Sequence, residues 1–250
     1  MNPGAFVWYD LATTDPKAAS RFYENVVGWT AEEVPAMHYT LLKMGETRAA
    51  GLMEMPPHLR EAGVPPHWSG YVSVADVDAH IERLEQAGGS LKYGPEDIPN
   101  VGRFAVVADP QGAVFYLFKG EGEGPEPGMM DPGRVGWHEL RTRDHEAAYG
   151  FYSNLFGWER SRAIDMGPMG TYQLFSYAGA DRGGLMNAPD GMHPNWLFYF
   201  VVQGLDAALE RVKAEGGTVL HGPQEVPGGA WILMGRDPQG AHFALVSAKR

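Results

Sequence analysis

Asp10 and Glu139 are the residues of this chain whose type and setting best suit moving a proton. Each follows a tryptophan by two positions, Trp8 and Trp137, in a segment that reads as a β-strand. The alternation of a strand therefore puts acid and indole on one face. A carboxylate on a half-buried strand is hard to ionise unless it is paired. General acid–base work is one reading; a structural bond to a neighbouring strand, an arginine or a tyrosine is the other.

The remaining chemistry is sparser. In WHELRTRDH, His138 and His145 straddle a strand–helix junction, whereas a zinc-protease helix needs its two histidines four apart on one face. His138 points away from Trp137 and reads as a packed structural histidine. His58, His67 and His193 sit in loops without a ligand spacing and read as solvated, and the first of these loops, Met55 to Pro66, reads as a lid. EGEGPEPG lacks the Lys-Ser/Thr of a phosphate loop. With no cysteine, disulfides, thiolate nucleophiles and Cys-ligated metals are excluded.

The elements that must position these residues come in duplicate. Trp8 aligns with Trp137, Phe22-Tyr23 with Phe151-Tyr152 and Gly28-Trp29 with Gly157-Trp158 in one register. Gly51-Leu52-Met53 matches Gly184-Leu185-Met186, and the turn DPQG at Asp109 returns at Asp237. A repeat this long is a copied domain rather than a solenoid unit of ~20–50 residues. The boundaries are 1–120 for the first copy, 121–133 for an acidic Pro/Gly linker and 134–250 for the second. Within a copy the reading is a strand over Phe6–Ala12, a helix begun by Asp15-Pro16 and ended by Gly28, and two or three strands over His38–Glu54. A strand over Trp68–Val74, a helix over Asp76–Ala87 and further strands joined by DPQG follow.

The net charge of −11 without basic clusters argues against nucleic acid as a partner. No apolar run approaches the ~18 residues of a membrane span, and MNPGAFVWYD lacks the regions of a signal peptide. The expectation is a soluble, cytoplasmic monomer or homodimer with a small-molecule ligand.

FYxxVxGW after a first strand, GLM before a Pro-rich loop, a strand running into VxDVDA, and DPQGxxFxLF together resemble the vicinal oxygen chelate superfamily. This is the group of glyoxalase, bleomycin-resistance and extradiol dioxygenase proteins, and the chain is similar to its tandem, two-domain glyoxalase-like members. The resemblance implies an α+β fold with four βαβββ modules forming two cup-shaped mixed sheets. In metal-dependent relatives four strand positions supply the ligands. Carried over, they fall on Trp8, Glu54, Ser69 and Tyr116 in the first copy and on Trp137, Asn187, Leu197 and Ala244 in the second. If modules exchange between copies the sets become Trp8, Glu54, Leu197, Ala244 and Trp137, Asn187, Ser69, Tyr116. Neither arrangement makes a metal site, so no metal and no cofactor are expected.

The resemblance thus implies cups lined by Trp8, Ser69, Tyr71, Tyr116 and Phe118 in one copy and by Trp137, Asn187, Leu197, Tyr199 and Ala244 in the other. Flat side chains suit an apolar or planar small ligand. Ala244 should leave more room than Tyr116. The first expectation is a protein with a degenerate metal site that binds a small organic molecule for sequestration or tolerance. A second is a lyase, isomerase or oxygenase acting on a small carbonyl or aromatic substrate, with Asp10, Glu54 and Glu139 in acid–base roles. A third is a protein interaction module.

Overall fold

The structure is a computed structural model that describes residues 3–121 and 130–250; residues 122–129 of the expected linker lie outside it. The first copy runs β1 (Phe6–Thr13), α1 (Pro16–Val27), β2 (Thr30–Val34), β3 (Tyr39–Met44), β4 (Thr47–Glu54), α2 (Pro57–Glu61), β5 (His67–Ser73), α3 (Val77–Gln86), β6 (Ser90–Ile98), β7 (Gly102–Ala108) and β8 (Val114–Gly120). The second runs β9 (Val135–Thr142), α4 (His145–Phe156), β10 (Glu159–Asp165), β11 (Thr171–Tyr177), β12 (Ala180–Asn187), β13 (Asn195–Val201), α5 (Leu205–Ala214), β14 (Thr218–Glu225), β15 (Trp231–Arg236) and β16 (His242–Ser247). Each copy is therefore two βαβββ modules. The three-strand run of the first module begins at Thr30, earlier than expected. The loop before β5 also winds into the short helix α2.

Helix starts follow local chemistry. Asp15, Asp76 and Asp144 each accept a bond at 3.0 Å from the backbone N–H three residues on, satisfying a donor that the first turn leaves open. Helix α1 ends at Gly28, whose φ of 92° is open to glycine and strained for other residues.

Two eight-stranded mixed sheets result, one per copy, with orders β2-β3-β4-β1-β5-β8-β7-β6 and β10-β11-β12-β9-β13-β16-β15-β14. Strand β1 runs parallel to β4 and β5 parallel to β8, while the hairpins are antiparallel. The sheets follow the copies, but the compact units do not. One unit comprises the described residues within Trp8–Ser69, Pro127–Trp137 and Leu197–Arg250; the other comprises those within Met1–Val7, Gly70–Glu126 and His138–Trp196. Each unit thus takes one module from each copy.

The repeated signatures explain why. In the unit that holds α1 and α5, Trp68 Nε1 donates to the Tyr23 hydroxyl at 2.8 Å, and Tyr23 donates to Asp237 Oδ2 at 3.1 Å. Asp237 Oδ1 in turn accepts from Gln239 N at 3.0 Å and Ala241 N at 2.9 Å, fixing the second DPQG turn. The other unit repeats the chain: Trp196 Nε1 to Tyr152 at 3.2 Å, Tyr152 to Asp109 Oδ2 at 3.1 Å, and Asp109 Oδ1 to Gln111 N and Ala113 N. Tyr23 and Tyr152 are fully buried. Burial, with the neighbouring carboxylate second, pushes both phenols well above their usual pKa, so they remain donors. Burial likewise raises the Asp109 and Asp237 carboxyls, against the bonds that favour their charge.

Aromatic packing surrounds each chain. Trp29 and Trp68 lie 5.1 and 4.9 Å from Phe200, and Trp158 stacks at 4.2 Å on Phe175. The two capping indoles find backbone acceptors, Trp29 on Gly133 O at 2.7 Å and Trp158 on Gly4 O at 2.8 Å.

Replacing Tyr23 or Tyr152 by phenylalanine orphans a buried indole N–H and a buried carboxylate oxygen. Each variant should lose about 1–3 kcal/mol per orphaned group in urea unfolding. Because the two chains share no residue, the double variant should lose close to the sum. A double variant no weaker than the single ones would contradict this account.

Candidate functional site

The parity expected of the first strand holds. Trp8 Nε1 donates to Asp10 Oδ1 at 2.8 Å, and also to the Tyr39 hydroxyl at 2.9 Å. The Tyr39 hydroxyl donates to the same Asp10 oxygen in a short bond. Asp10 is buried at 5% exposure, beneath half-buried Trp8 and Tyr39.

Tyr39 reaches the acid because a glycine lets it. Asp10 lies in register with Gly51 on β4, and Tyr39 pairs with Met53 two residues further along. A Cβ on Gly51 would come within 1.5 Å of the Tyr39 hydroxyl oxygen and 2.5 Å of Asp10 Oδ1. The tyrosine therefore lies across the bare backbone of Gly51.

The second copy puts a carboxylate, here a glutamate, a tyrosine and a glycine in the same register. Glu139 pairs with Gly184, and a Cβ there would lie 2.2 Å from the Tyr172 ring. Tyr172 donates to Glu139 Oε2 at 3.2 Å, and Glu139 is 4% exposed. Arg141, where the first copy has Ala12, donates from Nε to Glu139 Oε1 at 2.7 Å. This ion pair is largely buried, with side-chain exposures of 19% and 5%. Breaking one partner of such a pair leaves an uncompensated charge.

Two of the carried-over positions fall on the wrong face. Glu54 pairs with Thr13, one residue out of the alternation of Trp8, Asp10 and Ala12. It is exposed, 3.8 Å from Arg60, and Met53 holds the in-phase position. Asn187 pairs with Thr142. It accepts from the His145 backbone N–H at 2.8 Å and lies 3.0 Å from its ring Nδ1, a structural role at the start of α4. The carboxylate at Glu54 and the amide at Asn187 therefore do not join Asp10 and Glu139.

The other lining candidates divide by copy. On β5, alternation places Ser69 and Tyr71 on one face, both buried. Tyr71 pairs with Tyr116 at a ring separation of 4.3 Å, and lies 6.0 Å from Phe118. Phe104 stacks at 6.1 Å on the far side of Tyr116, and Tyr93 extends the row at 6.3 Å from Phe104. Tyr116, Phe104 and Phe118 are half-buried, so the row keeps a solvent-facing side.

In the second copy, Leu197, Tyr199, Val201, Ala244 and Val246 form a closed apolar cluster packed by Trp137, Ala230, Ile232 and Met234. Ala244 is fully buried, with Tyr199 and Met234 as its register partners. The room expected at Ala244 is covered by these larger neighbours.

A divalent metal, which the family resemblance implies, does not fit these positions. An indole nitrogen only donates, methionine offers a soft thioether, and Leu197 and Ala244 have no donor atom. Among the described residues, no group of three or more His, Asp or Glu could hold a metal ion. His67 and His193 sit on the carbonyls of Pro65 and Pro194, each at 2.9 Å.

His138 is buried, stacked at 4.3 Å on Phe6, with Nδ1 2.8 Å from Arg182 O. Burial lowers its pKa to about 4. Sequence reasoning missed Tyr39, Tyr172 and Arg141. Arg141 was accessible, since it continues the alternation of Trp137 and Glu139; the tyrosines come from a strand two elements away and carry no local signal.

Two outcomes follow. The Gly51→Ala variant should displace Tyr39 from Asp10 and destabilise the chain by about 1–3 kcal/mol; unchanged stability with unchanged Trp8 emission would contradict the packing. Because the folded state keeps His138 neutral, stability falls as pH drops from the ordinary histidine range toward 4. The loss from this group is about 2 kcal/mol between about pH 7 and pH 5. His138→Gln should remove that part of the pH dependence, and identical pH slopes in urea unfolding would contradict it.

The chain is 31% identical over 244 residues to the putative glyoxylase CFP32 of Mycobacterium tuberculosis, covering 96% of this chain and 93% of that one. It is 35% identical over 266 residues to the anthracycline biosynthesis protein DauV of Streptomyces sp. (strain C5), covering 99% and 94%. Among solved structures, the homoprotocatechuate 2,3-dioxygenase of Arthrobacter globiformis matches with a TM-score of 0.71 at 16% identity, over 98% of this chain and 80% of that one. The Mn(II)-bound glyoxalase of Novosphingobium aromaticivorans matches at 0.68 and 16%, over 100% and 83%. At that identity these two likenesses concern the fold alone. Residues 5–117 and 134–245 each match the family model, and the chain belongs to the Glyoxalase/Bleomycin resistance protein/Dioxygenase superfamily.

Proposed function

We propose that this protein binds a small planar organic molecule, for sequestration or tolerance, without the metal of its metal-dependent relatives. The observation that carries the reading is the row Tyr71, Tyr116, Phe104 and Phe118 on the first copy's β5–β8 half-sheet, half-open to solvent. The resemblance puts Tyr116 at the position of a ligating glutamate in metal-dependent relatives. Stacked phenol and phenyl rings bind flat π-systems by area and offset stacking. The relative DauV is named for anthracycline biosynthesis, and an anthracycline is a fused-ring aromatic of the shape such a row accepts. The buried apolar cluster around Ala244 in the second copy favours the first copy for binding.

A second reading is a metal-independent lyase, isomerase or oxygenase acting on a small carbonyl or aromatic substrate. Buried Asp10 and Glu139, each bonded to a tyrosine, support it. Glu54 drops out of it, being exposed on the other face.

Titration with anthraquinone, followed by tryptophan quenching and calorimetry, tests the binding reading. Saturable binding should weaken by about tenfold or more in Tyr116→Ala and in Tyr71→Ala, corresponding to about 1.4 kcal/mol. No saturable binding, or binding that both variants leave unchanged, would remove it.

A further inference from the structure

The aromatic row of β5–β8 ends in a charge. Tyr93, exposed at 50%, donates its hydroxyl to Glu96 Oε1 at 2.6 Å, and Glu96 lies in register with Phe104, the next ring of the row. On a regular strand two residues three apart face opposite ways. Here β6 bulges against β7: Tyr93 pairs with Val106 and Glu96 with Phe104, so three steps on one strand face two on the other. The extra residue turns phenol and carboxylate to the same side. Because Phe104 pairs with Phe118 and Val106 with Tyr116, that side is the face of the row. The basic residues of β7 and β8 take the opposite face. Arg103 is bound there to Asp78 and Asp97, and Lys119 is its register partner.

The second copy makes the same bulge without the charge. In β14, His221 pairs with Met234 and Gln224 with Ile232, again three steps against two. A neutral amide thus stands at the place of Glu96. In that copy Ile232 also stands at the place of Phe104, Ala244 at that of Tyr116 and Val246 at that of Phe118. Carboxylate and aromatic row occur together in one copy and are replaced together in the other.

We propose that Glu96 makes the row a site for planar aromatic cations, with the ligand's rings on Phe104 and Tyr116 and its ammonium or amidinium group on the Glu96 carboxylate. This deepens the planar-ligand reading and rests on it. A carboxylate accepts several hydrogen bonds, so the one from Tyr93 leaves it able to accept from a ligand. The faces of the rings are negative and attract a cation held above them. Because Glu96 is exposed, the selectivity is modest and weakens with salt.

The test compares anthracene carrying an aminomethyl group on its central ring with the hydroxymethyl compound, by calorimetry in dilute buffer. The proteins are the unaltered chain, Glu96→Gln, and Glu85→Gln on α3, which removes the same charge away from the row. Both glutamates are exposed, so neither change touches the core. The unaltered protein should favour the ammonium compound by about fivefold or more. In Glu96→Gln, whose amide oxygen still accepts from Tyr93, the preference should fall to within about twofold. Glu85→Gln should keep it.

Equal binding of the two compounds by the unaltered protein, a preference that Glu96→Gln keeps, or one that Glu85→Gln loses equally, overturns the role of Glu96 while leaving the binding reading intact. Binding of neither compound, nor of anthraquinone itself, overturns the binding reading and the role of Glu96 with it.

Discussion

The fold hangs on a relay of three side chains used twice: an indole N–H into a tyrosine hydroxyl, and that hydroxyl into the aspartate of a DPQG turn. Trp68, Tyr23 and Asp237 form one relay, and Trp196, Tyr152 and Asp109 the other. Each group in it is buried and polar, so each would be a liability alone, and together they satisfy one another. Because tyrosine and aspartate come from different copies in both relays, the duplication is a requirement of the core. A single copy would leave Tyr23 and Asp109 without the partners they have here.

The relays and the candidate site use different residues. The FY and DPQG signatures by which the chain is recognised belong to the relays, and the GW tryptophans cap them from the side. The positions to which the resemblance carries metal ligands are other residues of the strands. Trp8, Met53, Ser69 and Tyr116 are not among the six relay residues. One scaffold can carry different residues at a site while its core relays stay the same.

Much of this was legible in the amino-acid sequence, and what was not has a physical reason. The duplication, the helix starts at Asp15 and Asp76 and the parity of Trp8 with Asp10 are local or repetitive, and periodicity reveals them. Glu54 was misplaced because one residue of strand phase flips a side chain to the opposite face. Gly51 was visible as part of a repeated GLM, but its purpose depends on Tyr39 arriving from another strand. Ala244 suggested open space, yet a small residue in a core is commonly covered by larger neighbours, here Tyr199 and Met234. Pairing across the sheet is the level at which sequence-only reasoning stopped.

The central proposal is that an aromatic binding site takes the place of the metal site of metal-dependent relatives. Elemental analysis tests it most directly, on protein purified without chelator or affinity tag and again after incubation with zinc, nickel, manganese and iron salts. The residues at the ligand positions predict no stoichiometric transition metal after gel filtration under any of these conditions. About one tightly held ion per chain or per copy would contradict the account and return the chain to metal-dependent chemistry.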